Sequence, residues 1–249
     1  MGLENRESFG LDADGYRQFR PHYPPELYEY LAGLAPSRSR ALDCATGSGQ
    51  AAIDLARWFD RVDAFDASET QIDAGVADPK VHYSVGSAEA LQYPPESFDL
   101  IAAAQAAHWF DLPDFYREVR RVGRLGAIIA IWGYSYCRVA PSIDATVRRD
   151  LLDPIEPYWA DGNKVIRDRY ATIEFPFSEF VWPDFTLGFE WTRRQYLQYL
   201  GTWSAVRKYR LEAGSDPLET LDAALATDWN ETEMRTVQFE FVGRAGRIE

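Results

Sequence analysis

Between residues 41 and 52 the chain reads ALDCATGSGQAA, an apolar run that ends in an acid, breaks into alternating glycines and carries no lysine or arginine. Glycine lets a backbone bend tightly and lets a ligand approach without a Cβ in the way. A helix that starts just beyond offers free N–H donors. Gly47 and Gly49 are placed to do both. A nucleoside triphosphate is disfavoured, because the lysine of a GxxxxGK[ST] loop, which reaches the β and γ phosphates, is missing. The turn also scans as GxGxxA across Gly47, Gly49 and Ala52, and Asp66 follows roughly 20 residues on, where an acid accepts from ribose hydroxyls. That spacing points to a ribose and leaves a dinucleotide and other adenosine-containing cofactors open. Other chemistry is scarce. His22, His82 and His108 are the only imidazoles, and Cys44 and Cys137 lie in no CxxC or Cys/His cluster, so no metal is expected and both cysteines read as buried thiols.

The elements around the turn alternate between strand and helix. ALDCAT opens the series, QAAIDLARWF (50–59) has helical spacing, RVDAFDAS (61–68) reads as a second strand, and Ser68 can cap the helix SETQIDAGVA (68–77). VHYSVGSAEAL gives a third strand, FDLIAAAQAAHWF (98–110) a fourth, DFYREVRRVG (114–123) a helix and GAIIAIWGYSY (126–136) a fifth strand apolar on both faces. This is the pattern of βαβ units on a parallel sheet. Ahead of it, YRQFRPHYPPELYEYLAGLAP predicts a turn and one amphipathic helix ending near Gly33 to Pro36, able to lie over a cleft. Behind it, PSIDATVRRDLLDPIEPYW and TRRQYLQYLGTWSAVRKY read as helical, IEFPFSEFVWPDFTLGFEW as strand-like, and MRTVQFEFVG as a last strand.

With 249 residues, 46% hydrophobic and 26% charged, the chain suits one globular α/β domain. The division expected is an N-terminal cap segment (1–38), a cofactor-binding core (39–136) and a sheet-completing part with helical cap insertions (137–249). A formal net charge of −13, spread along the chain, repels a phosphate backbone and argues against a nucleic-acid partner. No stretch reaches the roughly 20 apolar residues of a membrane span, and MGLENRESFG lacks the regions of a signal peptide, so a cytoplasmic location is expected.

DCATGSG (43–49) resembles the DxGxGxG motif of class I S-adenosylmethionine-dependent methyltransferases. VDAFDAS, GSAEAL, SFDLIAAAQAAHWF and the basic turn RRVGRLG before IIAIWGY follow in that family's order. YRQFRPHYP, YLGTWSAVRKY and GSDPLETL resemble its small-molecule branch, the one containing a trans-aconitate methyltransferase and the type 11 methyltransferases, so the likeness covers nearly the whole chain. Two residues depart from the pattern. Ala45 stands at the usual first glycine and is tolerable there if its φ is negative, and Leu125 replaces the proline of RVLKPGG in a surface turn. The resemblance implies a Rossmann-like α/β fold, a seven-stranded, mostly parallel sheet with helices on both faces and a helical cap over the site. It implies S-adenosylmethionine as cofactor, S-adenosylhomocysteine as product, a small-molecule substrate and a monomer or homodimer.

Carried over by that resemblance, Arg20, Asp43, Ala45, Gly47, Gly49, Asp66, Ala67, Ser87, Ala88, Glu89, Ala104 and Gln105 would border the cofactor, with Asp66 on the ribose and 87–89 beside the adenine. Ser87 and Glu89 read equally well as a helix-capping pair. The sulfonium is already a strong electrophile, so the acceptor must be held in line about 3 Å from the methyl carbon and water kept out. A carboxylate acceptor is ionised and needs no base, whereas a phenol or amine wants one, and His108 is the best-placed candidate. A carboxylate would instead want a cationic anchor, for which Arg17, Arg20, Arg207 and Lys208 are candidates. Tyr16, Trp109, Trp132, Tyr134 and Trp203 are the candidate aromatic walls of the acceptor pocket. Two rivals remain: a nicotinamide-dependent oxidoreductase built on the GxGxxA reading, and a non-catalytic protein that keeps the cofactor pocket.

Overall fold

A computed structural model of the chain describes residues 22–249. Five strands, β1 (Arg40–Cys44), β2 (Arg61–Asp66), β3 (Val81–Val85), β4 (Phe98–Ala104) and β5 (Gly123–Arg138), run parallel in the order β3-β2-β1-β4-β5. They are the five apolar runs read from the sequence. Successive residues of a strand point to opposite faces, so in β5 Ile128, Ala130 and Trp132 enter one core while Ile129 and Ile131 enter the other. The order reverses between β1 and β4, and the carboxyl ends of these two strands diverge to open a crevice.

The last strand, β8 (Arg235–Arg247), lies antiparallel to β5, and β6 (Ser178–Glu179) and β7 (Leu187–Trp191) both pair antiparallel with its other edge. Among the described residues the sheet therefore has eight strands instead of the seven expected, because the strand-like stretch 173–191 forms two short strands with a gap between them. Pro183, in the gap, has no N–H to give the ladder. Trp182 instead crosses over Gly243, where an added Cβ would stand 2.2 Å from its ring.

Helix α1 (Pro25–Leu34) starts with proline in its first turn and buries Leu27, Tyr28, Leu31 and Ala32, as the amphipathic spacing requires. α2 (Gln50–Leu55) leaves the glycine turn and is shorter than the periodicity over 50–59 suggests, since residues 56–58 tighten into turns. Ser68 and Asp111 cap α3 (Glu69–Asp73) and α4 (Leu112–Val122) by accepting from the N–H groups of Gln71 and Asp114. After β5, α5 (Pro141–Val147) runs through a wider turn at Arg148–Leu152 into α6 (Asp153–Ile155), and α7 (Gly162–Arg167) follows. The helical stretch 192–209 is broken into α8 (Arg193–Gly201) and α9 (Ser204–Ala213) at Trp203, which is extended at φ −70°, ψ 135°. α10 (Pro217–Leu225) packs beside them.

The amino edge of the sheet is closed by ion pairs. Buried Asp63 on β2 accepts from Arg40 Nε at 2.6 Å and from Arg61 Nη2 at 2.8 Å, and buried Asp99 on β4 accepts from Arg124 Nη1 at 2.7 Å and from the Arg40 N–H at 2.9 Å. Cys44 and Cys137 are free thiols. Among the described residues no helix is long and apolar enough to cross a membrane.

Candidate active site

The glycine turn sits at the carboxyl end of β1, beside the point where the strand order reverses. Gly47 (φ +57°) and Gly49 (φ +90°) both occupy the left-handed region that glycine alone adopts freely. A Cβ on Gly49 would also stand 1.9 Å from Tyr83 Oη, which is fixed by donating to the Val76 carbonyl at 2.9 Å. Ala45 is a correction to the sequence reading. Its φ is +54°, so its methyl group is strained where the family's glycine would not be.

Two acids face this turn. Asp66, at the end of β2, accepts from the Gly47 N–H and the Ser68 N–H, each at 2.9 Å, and so ties the turn to the second strand. Asp43, on β1, is fully buried; its Oδ2 accepts from Thr46 Oγ1 at 2.5 Å, while Oδ1 completes no hydrogen bond. Burial pushes the Asp43 carboxyl up to about 7, against the opposing pull of the Thr46 hydroxyl and the Ala52 N–H and with a further push from the Asp66 carboxylate. A buried carboxylate oxygen without a donor, under an open glycine turn, suits a ligand that brings a cation or hydroxyl donors and repels one that brings a pyrophosphate. The donor set therefore fits an amino-acid nucleoside better than a nicotinamide dinucleotide.

Ala67 is half-buried between Asp66 and Ser68, and Ala88 is buried in the loop after β3. Ser87 donates to Glu89, whose other oxygen accepts from the Asp111 N–H at 3.2 Å. Burial would raise the Glu89 carboxyl, but the Ser87 hydroxyl and the N–H groups of Glu89 and Asp111 hold it below its ordinary value. No helix begins at Ser87, so the pair staples the loop after β3 to the start of α4 and caps nothing of its own. Ala104 ends β4, and Gln105 turns the chain at φ +53°. The Gln105 carboxamide donates to the Tyr134 carbonyl at 3.1 Å and accepts from the Tyr134 N–H at 3.2 Å, an approach that a Cβ on Gly133 would block at 2.1 Å. Its carboxamide, and its N–H donating to the Trp132 carbonyl at 2.8 Å, thus lock β4 to β5, which leaves its carbonyl and methylenes for a ligand.

Beyond Gln105 a cleft opens between β5, α7 and α9. His108, Trp109, Tyr134 and Trp203, all named from the sequence, line it. Trp132 does not. Its ring lies in the core under α1, edge-on to Tyr23 at 5.8 Å and to Tyr28 at 6.3 Å. Arg207 is half-buried on α9 and Lys208 is exposed beside Glu212, and neither lines the cleft. Tyr16, Arg17 and Arg20 lie outside the described residues. His108 Nδ1 is buried and has no hydrogen-bond partner among the described residues, and burial lowers the imidazole to about 3. A group that gives up its proton so readily is a poor general base.

The sequence reading missed Tyr136, Trp159, Asn163, Arg167 and Tyr199, all of which line the same cleft. Trp203 meets Trp159 at 5.5 Å, Tyr136 at 5.7 Å and Tyr199 at 5.8 Å, so three separate segments build one aromatic wall. Arg167 Nη1 donates to Tyr136 Oη at 3.1 Å and to both Glu156 oxygens, at 2.8 and 3.1 Å.

Residues 42–131, from β1 into β5, match the profile of the methyltransferase domain family. A Dictyostelium discoideum protein named "Putative methyltransferase" is 32% identical over 241 residues, covering 94% of this chain and 92% of its own. Among solved structures, that of a "Putative Type II Methyltransferase" from Anaeromyxobacter dehalogenans superposes with a TM-score of 0.86 at 42% identity, over 92% of this chain and 98% of that one. The YcgJ protein of Bacillus subtilis shares the fold at 17% identity, with a TM-score of 0.52 over 89% of this chain and 97% of its own.

Proposed function

The chain belongs to the S-adenosylmethionine-dependent methyltransferases of the type 11 family, and from that premise we propose that its acceptor is a carboxylate oxygen of a small acid, of the trans-aconitate kind. One observation supports the choice of acceptor: the described residues that line the cleft include no carboxylate and no lysine, and their one imidazole is a weak base. Burial lowers that imidazole, His108, to about 3. A neutral phenol or amine would have to lose a proton to a group able to keep it, whereas a carboxylate arrives ionised.

S-adenosylmethionine supplies the electrophilic methyl group. The chain's part is to bind and position. Asp66 and the turn at Gly47 and Gly49 offer the ribose and amino-acid side of the cofactor a carboxylate and open backbone, and Asp43 sets a negative charge beneath them. Trp109, Trp159 and Trp203 exclude water from the cleft, and their ring faces favour a cationic group alongside. A second reading, O- or N-methylation of a phenolic or heterocyclic metabolite, draws on the unpartnered His108 Nδ1, which can hydrogen-bond a neutral acceptor.

Calorimetric titration with S-adenosylhomocysteine and, separately, with NAD tests the cofactor half. Incubation with S-adenosylmethionine and a panel of small acids, phenols and amines, read for the mass gain of one methyl group, tests the acceptor half. Methylation of acids at the carboxyl is the expected result. Methylation confined to phenols or amines would overturn the acceptor, and tight cofactor binding with no product across the panel would favour a non-catalytic role.

A further inference from the structure

The cleft is supplied with hydrogen-bond donors that the fold does not use. Trp159 Nε1 and Asn163 Nδ2 are both buried, and among the described residues neither has an acceptor. Each such donor costs about 1–3 kcal/mol when nothing accepts from it, so two of them on one wall of one cleft are an expensive arrangement for packing alone. An indole N–H can only donate, and so can an amide nitrogen, so the complementary group is rich in acceptors. Arg167 stands one helical turn beyond Asn163 on α7 and adds a permanent positive charge on the same side.

The charge on Arg167 is held loosely. Its partner Glu156 is 52% exposed, while the Arg167 side chain is only 22% exposed. An ion pair with one partner in water contributes about 0–1 kcal/mol, so an incoming anion can take the place of Glu156 at little cost. All four residues sit on the segment between α6 and the end of α7, away from the strand ends that carry the glycine turn. Cofactor binding and acceptor recognition are thus assigned to different parts of the chain.

We propose that Trp159, Asn163 and Arg167 form the subsite that recognises an acidic oxygen group of the acceptor, with Glu156 as a resident competitor for Arg167. This deepens the reading of the acceptor as a small acid and rests on it. Trp159 and Asn163 donate to the acceptor's oxygens, and Arg167 exchanges the Glu156 carboxylate for that of the acceptor. Glu156 therefore opposes acid binding, although it forms an ion pair within the fold. A merely structural Glu156–Arg167 pair would have the opposite sign: loosening it would loosen α7 and weaken every ligand of the cleft.

The probe is benzoate, with benzamide as its uncharged counterpart, each titrated with and without S-adenosylhomocysteine. Trp159→Phe keeps the ring and removes the N–H, and together with Asn163→Ala and Arg167→Gln it should weaken benzoate by about fivefold or more while moving benzamide by less than about twofold. Glu156→Gln should tighten benzoate by about two- to fivefold. Unchanged S-adenosylhomocysteine affinity in each variant certifies the fold. Benzoate affinity that is indifferent to Trp159→Phe, or weakened by Glu156→Gln, overturns the subsite, as does a cleft that takes no benzoate or takes benzamide equally well. Failure of S-adenosylhomocysteine to bind the unaltered chain would instead strike the cofactor reading, and the benzoate titration without it would still decide the subsite.

Discussion

The two ends of the parallel sheet treat buried acids in opposite ways. At the amino edge, burial would raise Asp63, but Arg40 and Arg61 hold its carboxyl below the ordinary carboxylate value, and Asp99 keeps an arginine of its own. At the carboxyl edge, Asp43 is just as deeply buried, has a hydroxyl and no arginine, leaves one oxygen unbonded and is pushed up to about 7. His108 and the donors of Trp159 and Asn163 continue the pattern on the far side of the crevice. At the amino edge the buried acids are satisfied by arginines of the fold. At the carboxyl edge the Asp43 oxygen and the donors of the cleft are left for a ligand to complete.

The sharpest way to break this contrast is to remove the satisfied acid. Asp63→Ala strands two arginines that remain partly in water, 25% and 46% exposed, and should cost about 2–3 kcal/mol in urea unfolding at neutral pH. The loss should shrink in acid. A depressed carboxyl contributes stability that is present above its unfolded pKa and lost as pH falls through the folded one. A loss under about 1 kcal/mol at neutral pH would mean that the amino edge is no better satisfied than the other.

Asp43→Asn should do the reverse. A carboxyl raised to about 7 lets the native state hold a proton that the unfolded chain has already released, so the wild-type chain loses stability at this site as pH rises from about 4 to 7. Asparagine carries no charge to bury and can still accept from Thr46. It should therefore be more stable than wild type by on the order of 2 kcal/mol at pH 8, with the advantage fading towards pH 5. Equal stability of the two proteins across that range would show that Asp43 is ionised at no cost.

Ligand binding sharpens the same point. If the Asp43 charge faces the cationic end of the cofactor, binding favours the ionised carboxyl, and S-adenosylhomocysteine affinity should fall as pH drops below about 7. The slope cannot exceed tenfold per pH unit, which is about 1.4 kcal/mol. Calorimetry of wild type and Asp43→Asn between pH 8 and 5.5 reads it directly. A flat profile in wild type would place the carboxylate away from the ligand's charge.

The same contrast explains what could be read in advance. The carboxyl edge of β1 and β2 was legible because its chemistry is local: the strand, the glycines at 47 and 49 and the acid at 66 lie in one supersecondary unit, and the left-handed φ values demand those residue types. The acceptor side was not. Tyr136, Trp159, Asn163, Arg167 and Tyr199 come from β5, the connection to α7, α7 itself and α8, and nothing local in any of these segments announces that they meet. Trp132 misled for the same reason. An aromatic residue near a strand end is equally at home in a core or a cleft, and here the packing of Tyr23 and Tyr28 decided for the core. Gln105 follows β4 as its sequence position implied, but its carboxamide goes to Tyr134, a pairing made possible by Gly133 on a different strand.

Ala45 offers the smallest test and the most local one. It stands between the unsatisfied Asp43 and the glycine turn, at φ +54°, where an L-residue with a Cβ crowds its own backbone by roughly 1–2 kcal/mol. Replacing it with glycine removes that strain but loosens the unfolded chain, which returns about 0.5–1 kcal/mol in the other direction. The net expectation for Ala45→Gly is a gain of about 0.5 kcal/mol, or a rise of about 1–2 °C in thermal midpoint for a chain of this size. The same change removes a methyl group beside the turn without touching Asp66 or Thr46, so S-adenosylhomocysteine affinity should hold or improve. A lower midpoint would mean that the methyl group contributes more by packing than it costs in strain, and the carboxyl edge would then be better satisfied at this position than its backbone angles suggest.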